Sequence, residues 1–585
     1  MTTRVAPTDL MTRARAALRE HWGFEDFRPQ QAEAIQHVLD GLDVFAVLPT
    51  GYGKSIIFQV PALLTRGTAL VISPLIALMK DQCDDANARG IRAAFLNSHV
   101  DEDLAEERLS DLRRGKYRLF YVAPERLRSK AFLDAVLRTE VSYLVVDEAH
   151  CASLDGFDFR PAYQRIHDLR TRFAKFETRP PIIAVTATAT LDIESDILRG
   201  VGIDPTHYQR VVADPVRPNF TYEVWHGNPW ANLETAIRRC NPYQGRYIFY
   251  AATRGNAETI KEKFAALLDE DCCGVYHAGL LPAERTAVQE AFKRGTTPIV
   301  AATNAFGMGI DVPDIRAVVH FGIPEAIEAY VQESGRAGRD GKPSTVTLIA
   351  DAWVEGFRWR LLDAENPPYP HFEVVWRWLH DTLGDGEVLF KSSATVAAAI
   401  QAAYGVTVTD HGVEGVLATL EAFGAVTRGY APSGVVLLAR PGDVQTAAET
   451  GHAALSTGAR TTFRALWEHV VRPWLPEKTV PTLRVEIPVD CAQLASLTGF
   501  SETTVRKHLR EAPFATVGRA FSGKTTRLRA WGQRLVDVLP AAQIERKRAR
   551  AVARLEQMIA YTRTATPTDF IRGYFLRGPA AGAGA

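Results

Sequence analysis

The chain has 585 residues, 46% hydrophobic and 23% charged, with Lys+Arg and Asp+Glu in equal number. That length carries about three to five domains, and the composition is that of globular protein rather than a disordered or collagen-like chain. No apolar run approaches the ~18–20 residues of a membrane span, and the N-terminal stretch lacks the apolar core of a secretory signal. Cys83, Cys151, Cys240, Cys272, Cys273 and Cys491 form no Cys-x-x-Cys pair, which argues against a zinc ribbon or disulfide framework. A reduced, cytoplasmic setting without membrane attachment is expected.

In chain order, a helix-like stretch leads to Trp22-Gly23-Phe24 and then Phe27-Arg28-Pro29-Gln30-Gln31. The Gln31 amide offers the donor and acceptor that match adenine N6 and N7, and Arg28 is suited to stacking on the ring. An apolar strand over residues 44–48 then runs into Pro49-Thr50-Gly51-Tyr52-Gly53-Lys54-Ser55, and a helix follows from Ile56. Strand, tight loop and helix in this order build a phosphate cradle. The glycines let backbone N–H groups close around phosphate oxygens, and the helix N-terminus adds its positive dipole. Lys54 would reach the β/γ-phosphates of ATP and Ser55 would ligate Mg²⁺. Leu48 stands where the full pattern has its first glycine.

Apolar strands are then expected at 69–72, 119–122, 144–146 and 182–185, with helices between them. Continuous apolar strands alternating with helices indicate a parallel sheet covered on both faces. Ligands in such sheets sit beyond the carboxyl ends of the strands, where Ser73-Pro74, Asp147-Glu148-Ala149-His150 and Thr186-Ala187-Thr188 fall. An acid at a strand tip can hold Mg²⁺, here Asp147, while its neighbour Glu148 activates the attacking water. The series restarts at 247–250 and continues at 275–277, 299–302, 318–321 and 346–349, so a second lobe of similar build is expected. In that lobe Arg336 and Arg339, three apart between glycines, are placed to clamp a triphosphate held by the first. Arginine fingers of this kind contribute roughly 10³–10⁵ in rate.

Together, residues 27–31, 50–55, 147–150, 186–188, 305–311 and 332–341 resemble, in order, the motifs of a superfamily 2 helicase of the DEAH-box type, specifically the RecQ family, over about residues 20–350. The resemblance implies two tandem RecA-like lobes. It implies ATP contacts from Arg28, Gln31, Thr50, Gly51, Gly53, Lys54, Ser55, Gly309 and Asp311, the last near the ribose. Lys54, Asp147, Glu148, His150, Gln332, Arg336 and Arg339 would carry catalysis, with His150 and Gln332 at the seam between lobes. ATP and Mg²⁺ (on Ser55 and Asp147) are the expected cofactors. Single-stranded and forked or branched DNA are the expected partners, and 3′ to 5′ movement enters by resemblance alone.

Two departures from the family pattern matter. The loop after the DEAH box reads Ser153-Leu154-Asp155-Gly156-Phe157-Asp158-Phe159-Arg160-Pro161, with Asp155 where the family usually has tryptophan. Ser73, Pro74, Phe157, Phe159 and Arg160 are assigned to DNA, and Phe157 is expected to take over part of the missing stacking face, worth about 1–3 kcal/mol per base. The second departure is the family's four-cysteine zinc module. Residues 545–576 resemble its helices, displaced to the chain end and without its cysteines. Structural zinc supplies about 10–16 kcal/mol to small modules; with no zinc site expected, this hairpin must be held by packing on the core.

Beyond residue 349 the alternation stops, and Asn366-Pro367-Pro368-Tyr369-Pro370 suggests a linker. Residues 393–440 suggest helix, helix and a strand pair joined by Ala431-Pro432-Ser433-Gly434, the winged-helix order, with Tyr430 at the hairpin tip as a base-pair wedge. Residues 491–510 have a helix-turn-helix pattern. Leu494, Leu497, Phe500, Val505 and Leu509 would face inward around a turn at Gly499, with Thr503, Thr504, Arg506, Lys507 and Arg510 on the outer, DNA-facing side. Residues 501–563 carry 14 Lys/Arg against five Asp/Glu, a positive block suited to phosphates.

The expected organisation is therefore α/β, with lobes at 1–210 and 211–350 and a mainly helical C-terminal region. That region divides into a linker and winged-helix-like module (351–445), a helix-turn-helix-like module (446–535), a basic hairpin (536–578) and a disordered tail (579–585). An ATP-dependent DNA helicase acting in recombination or repair is the leading reading. A translocase or annealing factor without sustained unwinding, and a DNA-binding regulator using residues 503–510, are the alternatives.

Overall fold

The computed structural model describes residues 7–74, 76–153, 161–174, 179–268, 272–307, 312–383, 388–389, 393–430, 434–450, 455–472, 485–513, 516–517, 524–530 and 532–577. Phe157, Phe159, Arg160, Gly309, Asp311, the Tyr430 side chain and the 579–585 tail lie outside them. Among the described residues no helix is long and apolar enough to cross a membrane. The chain divides into two units, residues 1–358 with 552–585, and residues 359–551.

In the first unit, side chains of β1 (Val44–Val47) alternate between two cores. Phe45 and Val47 enter one, Val44 and Ala46 the other, and all four are buried. A strand with both faces covered reads as a continuous apolar run. Six further strands complete a parallel sheet in the order β3-β4-β2-β5-β6-β1-β7: β2 (Thr68–Ile72), β3 (Ala93–Leu96), β4 (Leu119–Val122), β5 (Val141–Val146), β6 (Ile182–Thr186) and β7 (Gln209–Val212). A second parallel sheet, ordered β10-β11-β9-β12-β13-β8, comprises β8 (Phe220–Trp225), β9 (Arg246–Ala251), β10 (Cys273–Tyr276), β11 (Ile299–Ala302), β12 (Ile315–Phe321) and β13 (Ser344–Ile349). Two RecA-like lobes are thus present. Because β7 belongs to the first sheet, the boundary falls a few residues beyond the expected 210.

The helices Ala541–Thr562 and Pro567–Arg577 form the hairpin at the chain end. From residue 552 onward it belongs to the unit of the lobes. Leu555, Met558, Tyr561, Phe570, Ile571, Tyr574 and Phe575 are all buried.

The second unit departs from the tandem order read from sequence. Asn366-Pro367-Pro368 is a tight turn between the helices Ala352–Glu365 and Tyr369–Thr382 rather than an extended linker. The strands β15 (Val426–Tyr430) and β16 (Gly434–Ala439) do not pair with each other. Instead β15 pairs with β19 (Lys524–Leu528), which also pairs with the short β14 (Val388–Leu389), whereas β16 pairs with β17 (Val485–Asp490) and the short β18 (Thr516–Val517). The cores supply the reason. Ala425 and Val426 pack with Val413, Leu420 and Leu535, while Leu437 and Ala439 pack with Phe463, Leu494 and Leu509. A hairpin would have forced both strands onto one core. One module, residues 434–517, is therefore nested within another, and the expected boundaries at 445 and 535 do not separate them.

Within the nested module the helices Cys491–Thr498 and Glu502–Arg510 flank Gly499, whose φ of +74° is one that side chains rarely adopt. Leu494, Val505 and Leu509 are buried and Phe500 packs against them, as the periodicity indicates. Leu497 is the exception at 46% exposed, because the first helix ends within one residue of it.

Candidate active site

The phosphate-loop sequence leaves the C-terminal end of β1 and turns through Gly51 (φ +79°) and Gly53 (φ +85°) before the helix Ile56–Leu64. A side chain at Gly53 would sit 2.6 Å from the Gln31 amide nitrogen and would displace it, and the positive φ itself favours glycine there. Gln31 spends both ends of its amide here. Its nitrogen donates to the Tyr52 and Gly53 carbonyls (2.9 and 3.1 Å), and its oxygen accepts from the Arg28 N–H (2.9 Å). Gln31 thus ties the loop in place, and contact with a base requires an exchange of those bonds. The Arg28 guanidinium lies over the Tyr52 ring at 4.9 Å. Ser55 starts the helix without using its hydroxyl as a cap, which leaves that oxygen for a metal.

The acids emerge at the end of β5. Asp147 is buried and accepts from the Ser73 hydroxyl (3.2 Å) and the Glu148 N–H (3.0 Å), while the Tyr163 hydroxyl donates to its backbone carbonyl (2.8 Å). Glu148 holds a left-handed conformation (φ +47°), shared by no other non-glycine among the described residues. Such backbone strain persists where surrounding structure over-determines it. Lys54 Nζ stands 3.5 Å from one Glu148 oxygen and His150 Nδ1 3.4 Å from the other, with His150 also 2.8 Å from the Thr186 hydroxyl. Burial, with Glu148 alongside, pushes the Asp147 carboxyl up to about 6. Burial acts on Glu148 in the same direction, but Lys54, His150 and Arg336 outweigh it and hold that carboxyl below its usual range. The neighbouring positive groups thus favour charge on Glu148 more than on Asp147.

Ser73 and Pro74, assigned to DNA from their place at a strand tip, are both buried. Since β2 lies beside β5, the Ser73 hydroxyl faces Asp147 and is used there. Its position is that of a support for the acid.

A cleft of about 740 Å³ joins the lobes. Arg28, Gln31, residues 50–55, Asp147 and Glu148 line it from the first lobe, and Gln332, Arg336 and Arg339 from the second. Gln332 lies on the helix Ile327–Ser334, and the two arginines follow in the turns beyond it rather than on the helix itself. The approach is close: a Cβ on Gly335 would come within 2.7 Å of the Thr50 Cβ, and one on Gly51 within 3.3 Å of the Arg339 Cγ. Arg336 donates to the Gly307 carbonyl.

Among the residues that sequence reasoning left without a role are Phe24 and Tyr52 of this cleft and Arg217 beside it. Phe24 lines it at 54% exposure, following the positive-φ Gly23, and the Trp-Gly-Phe sequence was the available signal. Tyr52 is the platform under Arg28. Arg217, in the connection between the sheets, donates to the Gly335 carbonyl (2.8 Å) and to that of Ala337, and lies 4.1 Å over the Phe220 ring. Burial, and then Arg339, bring its pKa down to about 10. No local motif marks it.

In the second unit, Thr503, Lys507 and Arg510 are exposed along the Glu502–Arg510 helix and Arg506 is half-buried. Ser501 caps that helix by accepting from the Thr504 N–H at 3.2 Å. His508 turns inward onto the Thr462 hydroxyl at 2.8 Å.

Residues 28–196 match the family model of the DEAD/DEAH box helicase, and residues 231–341 that of the helicase conserved C-terminal domain. The ATP-dependent DNA helicase RecQ of Bacillus subtilis is 40% identical over 341 residues, 58% of this chain and 56% of the relative. A second Bacillus subtilis relative, the probable ATP-dependent DNA helicase RecS, is 38% identical over 345 residues, 58% of this chain and 67% of the relative. The chain thus spans between about half and two thirds of the length of these relatives. Among solved structures, the DUF1998 helicase MrfA bound to DNA matches 73% of this chain and 62% of its own at a TM-score of 0.51 and 18% identity, a likeness of fold. On the motifs, the paired lobes and the identity to these relatives, this chain belongs to the RecQ family of superfamily 2 helicases.

Proposed function

We propose that the protein is an ATP-dependent DNA helicase that moves 3′ to 5′ along single-stranded DNA, separates strands at forked or branched sites and serves recombination or repair. One observation carries the reading: Lys54, Asp147 and Glu148 of one lobe line the same cleft as Gln332, Arg336 and Arg339 of the other. A site assembled from two bodies converts hydrolysis into relative motion, because neither half is complete alone.

In this reading the phosphates settle on the loop N–H groups and Lys54. Drawing Lys54 toward them takes it from Glu148, which removes one of the charges that hold that carboxyl down and makes it a stronger base for the attacking water. Ser55 and Asp147 would hold magnesium, which neutralises charge on the phosphate oxygens. Arg336 and Arg339 bear on the γ-phosphate from the second lobe. Closure and release of the lobes ratchet one strand along the motor, against about 1.4 kcal/mol per base-pair step. The nested module supplies a second DNA contact through Thr503, Arg506, Lys507 and Arg510. The hairpin ending the chain stands in for a zinc module, held by buried aromatic side chains.

The test is ATP hydrolysis titrated with single-stranded, duplex and forked DNA, and with RNA. Forked and single-stranded DNA should stimulate most, and Lys54→Ala or Glu148→Gln should abolish turnover while DNA binding persists. Normal hydrolysis in either variant would reject the site, and preferential stimulation by RNA would reject the substrate.

A further inference from the structure

A row of buried rings leads from the C-terminal hairpin to the turn that carries the seam arginines. Tyr561 packs on Tyr330 with centroids 5.1 Å apart, and its hydroxyl lies 3.1 Å from that of Tyr330. Tyr330 meets His320 at 4.9 Å, and His320 stacks on Tyr250 at 5.4 Å and 22°. The Tyr250 hydroxyl donates to the Phe306 carbonyl (2.9 Å), and the next carbonyl, Gly307, is the one on which Arg336 rests. His320 also bonds Glu333, the neighbour of Gln332, at 2.9 Å.

A second connection runs beside the first. Glu328, on the helix that presents Gln332, is 1% exposed. Tyr574 donates to its carboxylate at 2.9 Å, and Arg554 stands 3.8 Å away. A buried carboxylate is costly unless paired, and these two partners both come from the hairpin. Arg572 reaches Asp214, in the connection between the sheets, at 2.9 Å. An appendage that merely covered apolar surface would have no need to neutralise a charge on this helix.

We infer that the C-terminal hairpin is a positioning element of the ATP site. Tyr561 and Tyr574 are positioning residues that fix the Ile327–Ser334 helix and, through Tyr330, His320 and Tyr250, the Gly307 carbonyl that aims Arg336. This rests on the proposal that Arg336 bears on the γ-phosphate. The hairpin sets the geometry of the second lobe's contribution while the loop that binds nucleotide belongs to the first. Its loss should therefore fall on kcat and spare KM for ATP.

The experiment uses the full chain, with hydrolysis measured at saturating single-stranded DNA. Tyr561→Ala should lower kcat about ten-fold, the scale of a sub-ångström misplacement of a catalytic group, with KM for ATP changed less than two-fold. Tyr561→Phe, which keeps the ring, should recover most of the rate. In an Arg336→Ala background Tyr561→Ala should add less than a two-fold loss, because both act through one group. Unchanged kcat in Tyr561→Ala, or a ten-fold loss that persists on top of Arg336→Ala, would overturn the inference. Should Tyr561→Ala not fold, Tyr574→Phe decides: a kcat loss of about three-fold at constant KM and melting temperature supports it, and wild-type kcat overturns it. Full turnover in Arg336→Ala alone would instead remove the ATP-site reading beneath it.

Discussion

The two halves of the cleft are built differently. In the first lobe the catalytic candidates support one another: Lys54 and His150 flank Glu148, Thr186 holds His150, and Ser73 holds Asp147. All of these sit at the ends of adjacent strands of one sheet. In the second lobe, support arrives from outside. Arg217 from the inter-lobe connection holds the carbonyls around Arg336, and Tyr561 and Tyr574 from the chain end hold the helix before it. The first set of groups is supported within its own sheet, and the second by distant parts of the chain.

That contrast can be broken by substitution. The largest effect is expected for Arg336→Ala, a loss of about 10³-fold in kcat with nucleotide binding retained, measured by single-turnover hydrolysis and nucleotide titration. An Arg336→Ala protein that instead fails to bind ATP would show that the halves are not divided between binding and turnover. Arg217→Ala should cost about ten-fold in kcat, since it frees the carbonyls of the arginine turn. A matching loss of ATP affinity would make Arg217 part of the first half. The smallest change in turnover belongs to the second unit. Replacing Arg506, Lys507 and Arg510 together by Ala should leave hydrolysis at saturating DNA intact. The salt dependence of DNA binding should fall by about one unit of slope for each phosphate no longer neutralised, read by fluorescence anisotropy.

Much of the first half was legible because its residues are close in sequence or follow apolar strands that announce themselves. The central strands β1, β2, β4, β5 and β6 are continuous apolar runs, and each was expected. The strands of the two lobes that escaped notice, β3, β7 and β8, are all sheet edges, paired on one side only. β7 begins Gln-Arg and β8 alternates Phe-Thr-Tyr-Glu, so neither carries the doubly buried signature. The supports of the second half escaped for another reason: nothing local to Arg217, Tyr561 or Tyr574 refers to the residues they touch. The pairing of β15 was hidden likewise. Its partner β19 lies beyond the whole nested module, and the nearer β16 offered a plausible hairpin.

That nesting has a consequence for how the chain is made and how it can change. Tyr430 and Lys524 are opposite one another in the β15–β19 ladder, so everything between them leaves and re-enters the host at a single point. The guest has its own hydrophobic core, and the host sheet receives β19 only after it in the chain. Closing that long excursion adds only a logarithmic entropy term. A lineage can therefore lose or replace the guest and keep the host by bridging the gap with a short turn.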